Sequence, residues 1–288
     1  MVLYVIGLGL GDEKDITIKG LEAIKSSDKV YLEFYTSLLG GSTSIDRMKE
    51  YYGKDIILAD REMVESGCEE MLEESRTMSV SFLVVGDPFG ATTHTDLVMR
   101  AKERSIPYQV IHNASIMNAI GCCGLQLYTY GQTISMVFFT ETSKPDSFYD
   151  RIKSNRRDGL HTLVLLDIKV KEQSIANLLR GNKIYEKPRF MTINQCIEQL
   201  LEIEELRQEN VYSKDTLCVG LARVGQDTQQ ITSGTMEELV NVDFGAPLHS
   251  FVIAGDMHFH EKEFFESFRV NSETKRLPPP ESSDNEDN

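Results

Sequence analysis

Val80-Ser81-Phe82-Leu83-Val84-Val85-Gly86-Asp87-Pro88-Phe89-Gly90 is an apolar run broken by one serine and closed by a glycine-acid turn, and its reading decides the fold. Six residues without a charge or a proline predict a strand buried on both faces, as in a parallel sheet covered by helices. Thr92 or Thr93 then supplies a cap for a helix running to about Arg104. The start of the chain has the same form. Leu3-Tyr4-Val5-Ile6 predicts a buried strand, and Gly7-Leu8-Gly9-Leu10-Gly11-Asp12 follows it, where glycine lets the backbone bend sharply and approach a ligand. Both turns therefore fall at carboxyl ends of strands, the edge on which open α/β sheets bind ligands.

Neither turn names its ligand. A glycine turn after a strand is commonly only a tight connection. A dinucleotide fingerprint fails because Asp12 stands where its third glycine belongs, and the Walker spacing is absent. Asp87 has two readings, a ligand contact or an Asx-type bond that orders its own turn. For Asp12 the turn reading is favoured.

Composition narrows the class. A chain of 288 residues with 41% apolar content suits two domains, or one large one, with sizeable cores. No stretch approaches the roughly 18 apolar residues of a membrane span. The amino terminus enters a strand without a basic region or cleavage site, so a cytoplasmic protein with no membrane contact is expected. The five cysteines, Cys68, Cys122, Cys123, Cys196 and Cys218, include no C-x-x-C pair and read as small buried hydrophobes. A formal net charge of -15 argues against direct nucleic-acid binding and is compatible with a basic macromolecular partner.

From Met1 to about Val110, helical periods at Ile16 to Ile24, Met63 to Leu72 and Leu97 to Ala101 separate the runs Lys29 to Leu32, Asp55 to Leu58 and Val80 to Val85. That alternation predicts a mostly parallel sheet. After Asn113-Ala114-Ser115 the runs Thr133 to Phe139, Thr162 to Leu166, Thr216 to Leu221 and Ser250 to Ile253 come with fewer, longer helices, notably Thr192 to Glu205. A second α/β domain with a mixed sheet is expected there. The boundaries are 1–112, 113–270 and 271–288, the last a disordered acidic tail in which Ser282 and Ser283 could accept phosphate. A cleft between the two domains is a common place for a pocket.

The polar candidates outside the turns have ordinary readings. His94 and His112 flank motif segments and have a substrate-facing reading, but read first as packing or capping histidines, and His249 as a satisfied histidine at a strand start. His258 and His260 would share one face of a strand, but no fourth ligand or spacing supports a metal, and none is assigned. Glu33, Tyr35 and Thr36 end the second strand as substrate-side candidates. Lys169 and Lys171 read as a solvated strand face, or as attraction for an acidic patch of a partner.

At these residues a resemblance emerges. Gly7 to Asp12, Val85 to Gly90, Asn113 to Ile116 and Leu165 to Lys169 resemble the tetrapyrrole-methylase class of S-adenosylmethionine-dependent methyltransferases. The longer segments Val30 to Ser37, Ala91 to His94, Ile111 to Asn118, Gly121 to Tyr128, Asp167 to Gln173 and Val219 to Gly225 are similar to its protein-modifying branch. That branch methylates the modified histidine of translation elongation factor 2 during diphthamide synthesis. The likeness reaches to about Ile253, and Gly121-Cys122-Cys123 favours the eukaryotic form.

The resemblance implies two α/β domains with the cofactor cleft between them, S-adenosylmethionine as cofactor, elongation factor 2 as protein substrate and a homodimer. It places cofactor contacts at Leu10, Asp87, Gly90, Ser115, Ile116, Leu166, Val224 and His249. It also implies four methyl transfers, giving a trimethylated amine and a methyl ester. No catalytic residue is assigned, because the sulfonium is already a strong electrophile and the protein supplies alignment. Two alternatives stay open: methylation of a small macrocycle on the same fold, and a regulatory module without turnover.

Overall fold

The apolar runs form strands because each offers a hydrophobic side chain to both faces of a sheet. The computed structural model describes residues 1–33, 39, 43–59, 63–64, 68–170 and 185–278. Two compact units result. The first comprises Met1–Cys122, Asp167–Phe190 and Arg223–Gln229, and the second Cys123–Leu166, Met191–Ala222 and Gln230–Asn288.

In the first unit, β1 (Leu3–Gly7), β2 (Lys29–Glu33), β3 (Ile57–Ala59), β4 (Val80–Val84) and β5 (Tyr108–Ile111) form one sheet in the order β3-β2-β4-β1-β5. Every pairing is parallel, with Leu3 opposite Val80 and also opposite Tyr108. Side chains alternate across it. Leu3, Val5, Val80, Phe82 and Val84 pack with Cys68, Met71 and Leu72 of α3 (Cys68–Thr77) and Leu97, Val98 and Ala101 of α4 (Thr95–Glu103). Ile6, Leu8 and Leu83 pack on the other face with Ala23 and Ile24 of α1 (Ile18–Ser26) and Met48 and Tyr52 of α2 (Ile45–Tyr52). Each fully buried leucine, isoleucine or phenylalanine contributes about 1.5–3 kcal/mol. The one serine of β4 is also accounted for: buried Ser81 shares a 2.7 Å hydroxyl bond with Ser27.

The connection from β4 differs from the expected one. Neither Thr92 nor Thr93 caps α4; His94 holds the cap position without a side-chain cap bond, and the Thr92 hydroxyl donates to the Pro88 carbonyl. The chain has already turned at Ala91, whose φ is +60°. His94 packs its ring edge-on at 5.2 Å from Phe82, and neither ring nitrogen has a hydrogen-bond partner. Burial pushes its pKa down to about 4, so it is a neutral packing histidine.

After α5 (Ile116–Ala119), the second unit contains β6 (Ile134–Met136), α6 (Ser147–Arg157), β7 (Thr162–Leu166), α7 (Ile193–Arg207), β10 (Leu217–Ala222), β11 (Gln230–Thr235), α8 (Met236–Leu239), β12 (His249–Ile253) and α9 (Phe259–Ser267). The short strands β8 (Ile168–Lys169) and β9 (Arg189–Phe190) pair antiparallel in the first unit. The second sheet runs β11-β10-β12-β7-β6, with β6 and β7 parallel and the other pairs antiparallel, the mixed sheet expected. Thr192 and Gln195 cap α7 reciprocally.

Residues 258–260 are not a strand. His258 caps α9, held by its backbone N–H on Glu261 Oε2 at 2.7 Å. Residues 271–278, expected within the acidic tail, are tied to the second unit: the Lys275 carbonyl accepts from Asp243 N–H at 2.9 Å and Leu277 N–H donates to the Asn241 carbonyl at 2.8 Å. Ser282 and Ser283 lie outside the described residues, as do Tyr35, Thr36 and Lys171.

Buried Glu261 ties three segments of this unit together. Its Oε1 accepts from Gln126 N–H at 2.8 Å and from His161 Nε2 at 3.2 Å. His161 Nδ1 in turn accepts from Gly255 N–H at 2.8 Å, so the imidazole proton sits on Nε2. Burial pulls the Glu261 carboxyl up, but the Gln126 and His258 amides and the His161 ring outweigh it and hold it below its ordinary value. A carboxyl so lowered stabilises the fold fully above its unfolded pKa of about 4.3, and that contribution is lost as pH falls through the folded value. Glu261→Gln is expected to cost roughly 1–3 kcal/mol in urea denaturation at neutral pH. It should also flatten the loss of stability between about pH 5 and pH 3.

Candidate functional site

The turns after β1 and β4 meet through their backbones. Gly86 N–H donates to the Gly9 carbonyl at 2.8 Å and Gly9 N–H returns a bond to Gly86 at 3.2 Å, an isolated antiparallel bridge at the end of parallel strands. Both glycines need φ near +80° for it, +80° at Gly9 and +78° at Gly86, which a side chain would strain. At Gly7 a Cβ would lie 2.6 Å from the Gly86 carbonyl oxygen.

Three polar side chains lock this edge. Asp15 Oδ2 accepts from Gly11 N–H at 2.7 Å and Leu10 N–H at 3.3 Å. Asn113, just past β5, donates its amide to the carbonyls of Gly7 and Asp15, both at 3.0 Å. Asp87 accepts from Phe89 N–H at 2.9 Å through Oδ1, and from Asn113 N–H at 3.0 Å and His112 Nδ1 at 2.9 Å through Oδ2. Partial burial raises its pKa, and these donors more than reverse that, so Asp87 is held as an anion. The Asp87–Phe89 bond is the Asx-type turn bond, and Asp12 makes the same bond to Lys14 N–H at 2.8 Å.

The remaining candidates of the first unit close around this frame. A Cβ on Gly90 would sit 2.6 Å from the Ser115 Cβ, so only glycine lets the second turn lie against the start of α5. Ser115 is buried and caps α5, its hydroxyl accepting from Met117 N–H at 3.2 Å, and half-buried Ile116 is the first residue of that helix. A Cβ on Gly11 would meet the Gly225 carbonyl oxygen at 2.6 Å, and one on Gly225 the Leu10 Cβ at 3.1 Å. The loop carrying Val224 therefore packs on the first turn. It is held in a left-handed conformation at Arg223, φ +52°, and Arg223 Nε bonds the Thr228 carbonyl at 3.0 Å. Non-glycine residues at positive φ, here Arg223 and Ala91, store strain of the kind found at ligand sites.

Leu10, Asp87, Gly90, Ser115, Ile116 and Val224 are thus joined within the first unit. Leu166 and His249 belong to the second. There Leu166 ends β7 and His249 begins β12, and Leu165 stands opposite Ser250, so the two lie at one end of the mixed sheet. His249 Nε2 lies 3.2 Å and 3.1 Å from the carbonyls of Gly245 and Ala246. Asp15 and Asn113 escaped the sequence reading as site residues. The signal available was an acid four residues past Gly11 and an asparagine directly after a strand, both common in plain turns. Glu33 is buried at the end of β2.

The family model of the tetrapyrrole (corrin/porphyrin) methylases matches residues 2–240. The chain is 78% identical to the diphthine methyl ester synthase of Dictyostelium discoideum over 270 residues, 94% of this chain and 99% of that one. A solved protein of Entamoeba histolytica superposes with a TM-score of 0.82 at 48% identity, covering 94% of this chain and 99% of the other. A solved diphthine synthase superposes at 0.77 with 33% identity, covering 93% and 96%. With an all-parallel sheet, a mixed sheet and these matches along nearly its whole length, the chain belongs to the tetrapyrrole methylases, in their diphthine synthase group.

Proposed function

We propose that this chain transfers methyl groups from S-adenosylmethionine to the modified histidine of translation elongation factor 2, the diphthamide precursor, giving diphthine or diphthine methyl ester. The observation that carries the cofactor reading is the joining of Leu10, Asp87, Gly90, Ser115, Ile116 and Val224 around the Gly9–Gly86 bridge. The relatives named diphthine methyl ester synthase, 78% identical in Dictyostelium discoideum and 58% identical in Saccharomyces cerevisiae, support the substrate.

The residues present suit such a cofactor. Asp87 is held as an anion, the complement of a cationic ligand, while Leu10, Ile116 and Val224 keep part of their apolar surface open for a flat heterocycle. Leu166 and His249 stay in the proposed set on the sequence resemblance. When bound, the cofactor supplies an electrophilic methyl group on sulfonium. The chain's work is then alignment and exclusion of water: holding the substrate nucleophile roughly 3 Å from the methyl carbon and in line contributes on the order of 7–11 kcal/mol. Turns locked by a glycine bridge and by side-chain acceptors are suited to this, since their geometry is set before ligands arrive. Homodimerisation and a cytoplasmic location complete the proposal; among the described residues no helix is long and apolar enough to cross a membrane.

The chain incubated with labelled S-adenosylmethionine and elongation factor 2 carrying the unmethylated intermediate is expected to add methyl mass to the modified histidine. Cofactor binding without transfer would overturn the reading in favour of a module without turnover, and transfer to a small macrocycle alone in favour of a tetrapyrrole methylase. Gly90→Val forces the second turn away from Ser115, so calorimetry should find cofactor affinity reduced at least about tenfold, the equivalent of 1.4 kcal/mol. The circular dichroism spectrum should stay that of the folded protein, and undiminished affinity would remove this turn from the site. Light scattering at micromolar concentration is expected to give twice the chain mass.

A further inference from the structure

His112 is the one histidine at the sheet edge with a side chain turned mostly to solvent, 66% exposed, yet tied at one nitrogen to a carboxylate. It follows β5 directly, and its Nδ1 lies 2.9 Å from Asp87 Oδ2. Asp87 is fixed on its other sides by backbone amides of two separate segments, Phe89 N–H in its own turn and Asn113 N–H just past β5. An ionised carboxylate only accepts hydrogen bonds, so Nδ1 must carry the proton and the lone pair of the neutral ring lies on Nε2. Nε2 has no hydrogen-bond partner among the described residues. The Phe89 ring stands edge-on at 5.9 Å, packing one side of the imidazole and leaving the other open.

A carboxylate that orients an imidazole through Nδ1 and leaves Nε2 open is the arrangement of a general base. We propose that His112 Nε2 accepts the proton of the substrate ammonium before nitrogen methylation, with Asp87 as the group that orients the ring. The inference rests on the reading of the chain as a methyltransferase acting on an amine and a carboxylate of the modified histidine.

The steps balance as follows. The ammonium N–H bond breaks and its proton passes to Nε2, giving a neutral amine and an imidazolium beside Asp87. The amine nitrogen then bonds the methyl carbon, the carbon–sulfur bond breaks and its electron pair stays on sulfur, leaving a thioether and a methylated ammonium. Solvent takes the proton from exposed Nε2, and the second transfer repeats the cycle. The third nitrogen transfer starts from the same deprotonation of a dimethylammonium and ends in a quaternary nitrogen with no proton to lose. Methylation of the carboxylate oxygen needs no base at any point.

That difference between nucleophiles gives the test. His112→Ala and His112→Gln should slow nitrogen methylation of elongation factor 2 carrying the unmethylated intermediate by about a hundredfold, the lower range for loss of a general base. With a substrate already trimethylated on nitrogen, ester formation should stay within about twofold of wild type. Added imidazole should restore part of the nitrogen transfer in His112→Ala, because the site is open to solvent. Nitrogen-15 spectra of the wild-type imidazole should show the proton on Nδ1. Equal loss in both reactions, no loss in either, or a proton resting on Nε2 would overturn the inference. A wild-type chain that methylates neither substrate would instead overturn the methyltransferase reading itself.

Discussion

Two backbone hydrogen bonds between Gly9 and Gly86 decide what the sheet edge can do. Parallel strands end with their carbonyls and amides splayed, and loops leaving such an edge normally diverge toward their own helices. Here the loops after β1 and β4 are drawn back together, and only glycine permits it: φ is near +80° at both positions, and Gly7 has no room for a Cβ below the bridge. Asn113 extends the same junction to β5 by bonding the Gly7 and Asp15 carbonyls. Three strand ends become one continuous backbone surface, and the side chains placed on it have little freedom left. The strain at Ala91 and Arg223 falls on loops of this surface, where the rigid frame can sustain it.

How much of this was legible follows from the range of the interactions. The buried strands could be read because a two-sided burial writes an uninterrupted apolar run, as in Leu3 to Ile6 and Val80 to Val85. The glycine turns could be read because their residue type is a local conformational requirement. Ser81 and Ser27, by contrast, satisfy each other across 54 positions, and Asn113 reaches back 106 positions to Gly7. Nothing near such residues in the chain announces the partner. Their types were visible and their roles were not. The expected cap at Thr92 or Thr93 failed for a local reason of a different kind, since the left-handed step at Ala91 moves the helix start past both threonines.

The second unit repeats the lesson with charge. Glu261 directly follows His258 to His260, which read in the sequence as two histidines sharing one face of a strand. In the fold this stretch starts a helix and the buried Glu261 carboxylate is fed by amides and an imidazole from 100 and 135 positions away. An isolated buried carboxylate would cost several kcal/mol. The donors make it an organising centre, and α9 begins where it does because His258 and Glu261 satisfy each other's backbone and side chain. Of the two histidines of this segment, His258 is therefore spent on capping.

At Asp87 the turn role is observed, and it does not exclude the proposed ligand role. An ionised carboxylate offers about four acceptor positions. The amides of Phe89 and Asn113 and the His112 imidazole take three of them. The turn bond uses Oδ1 and the bonds toward β5 use Oδ2, so the side chain is locked in orientation by contacts on both oxygens. What remains is one acceptor position and the negative charge, both fixed in space and directed by the bridge beneath. A carboxylate with fewer internal bonds would bind a cationic group and then have to be ordered by it, at a cost in side-chain entropy. One with all four positions filled would offer only its field. Asp87 lies between these limits: it orders its turn and holds the His112 ring while keeping an acceptor position and its charge for the ligand proposed above.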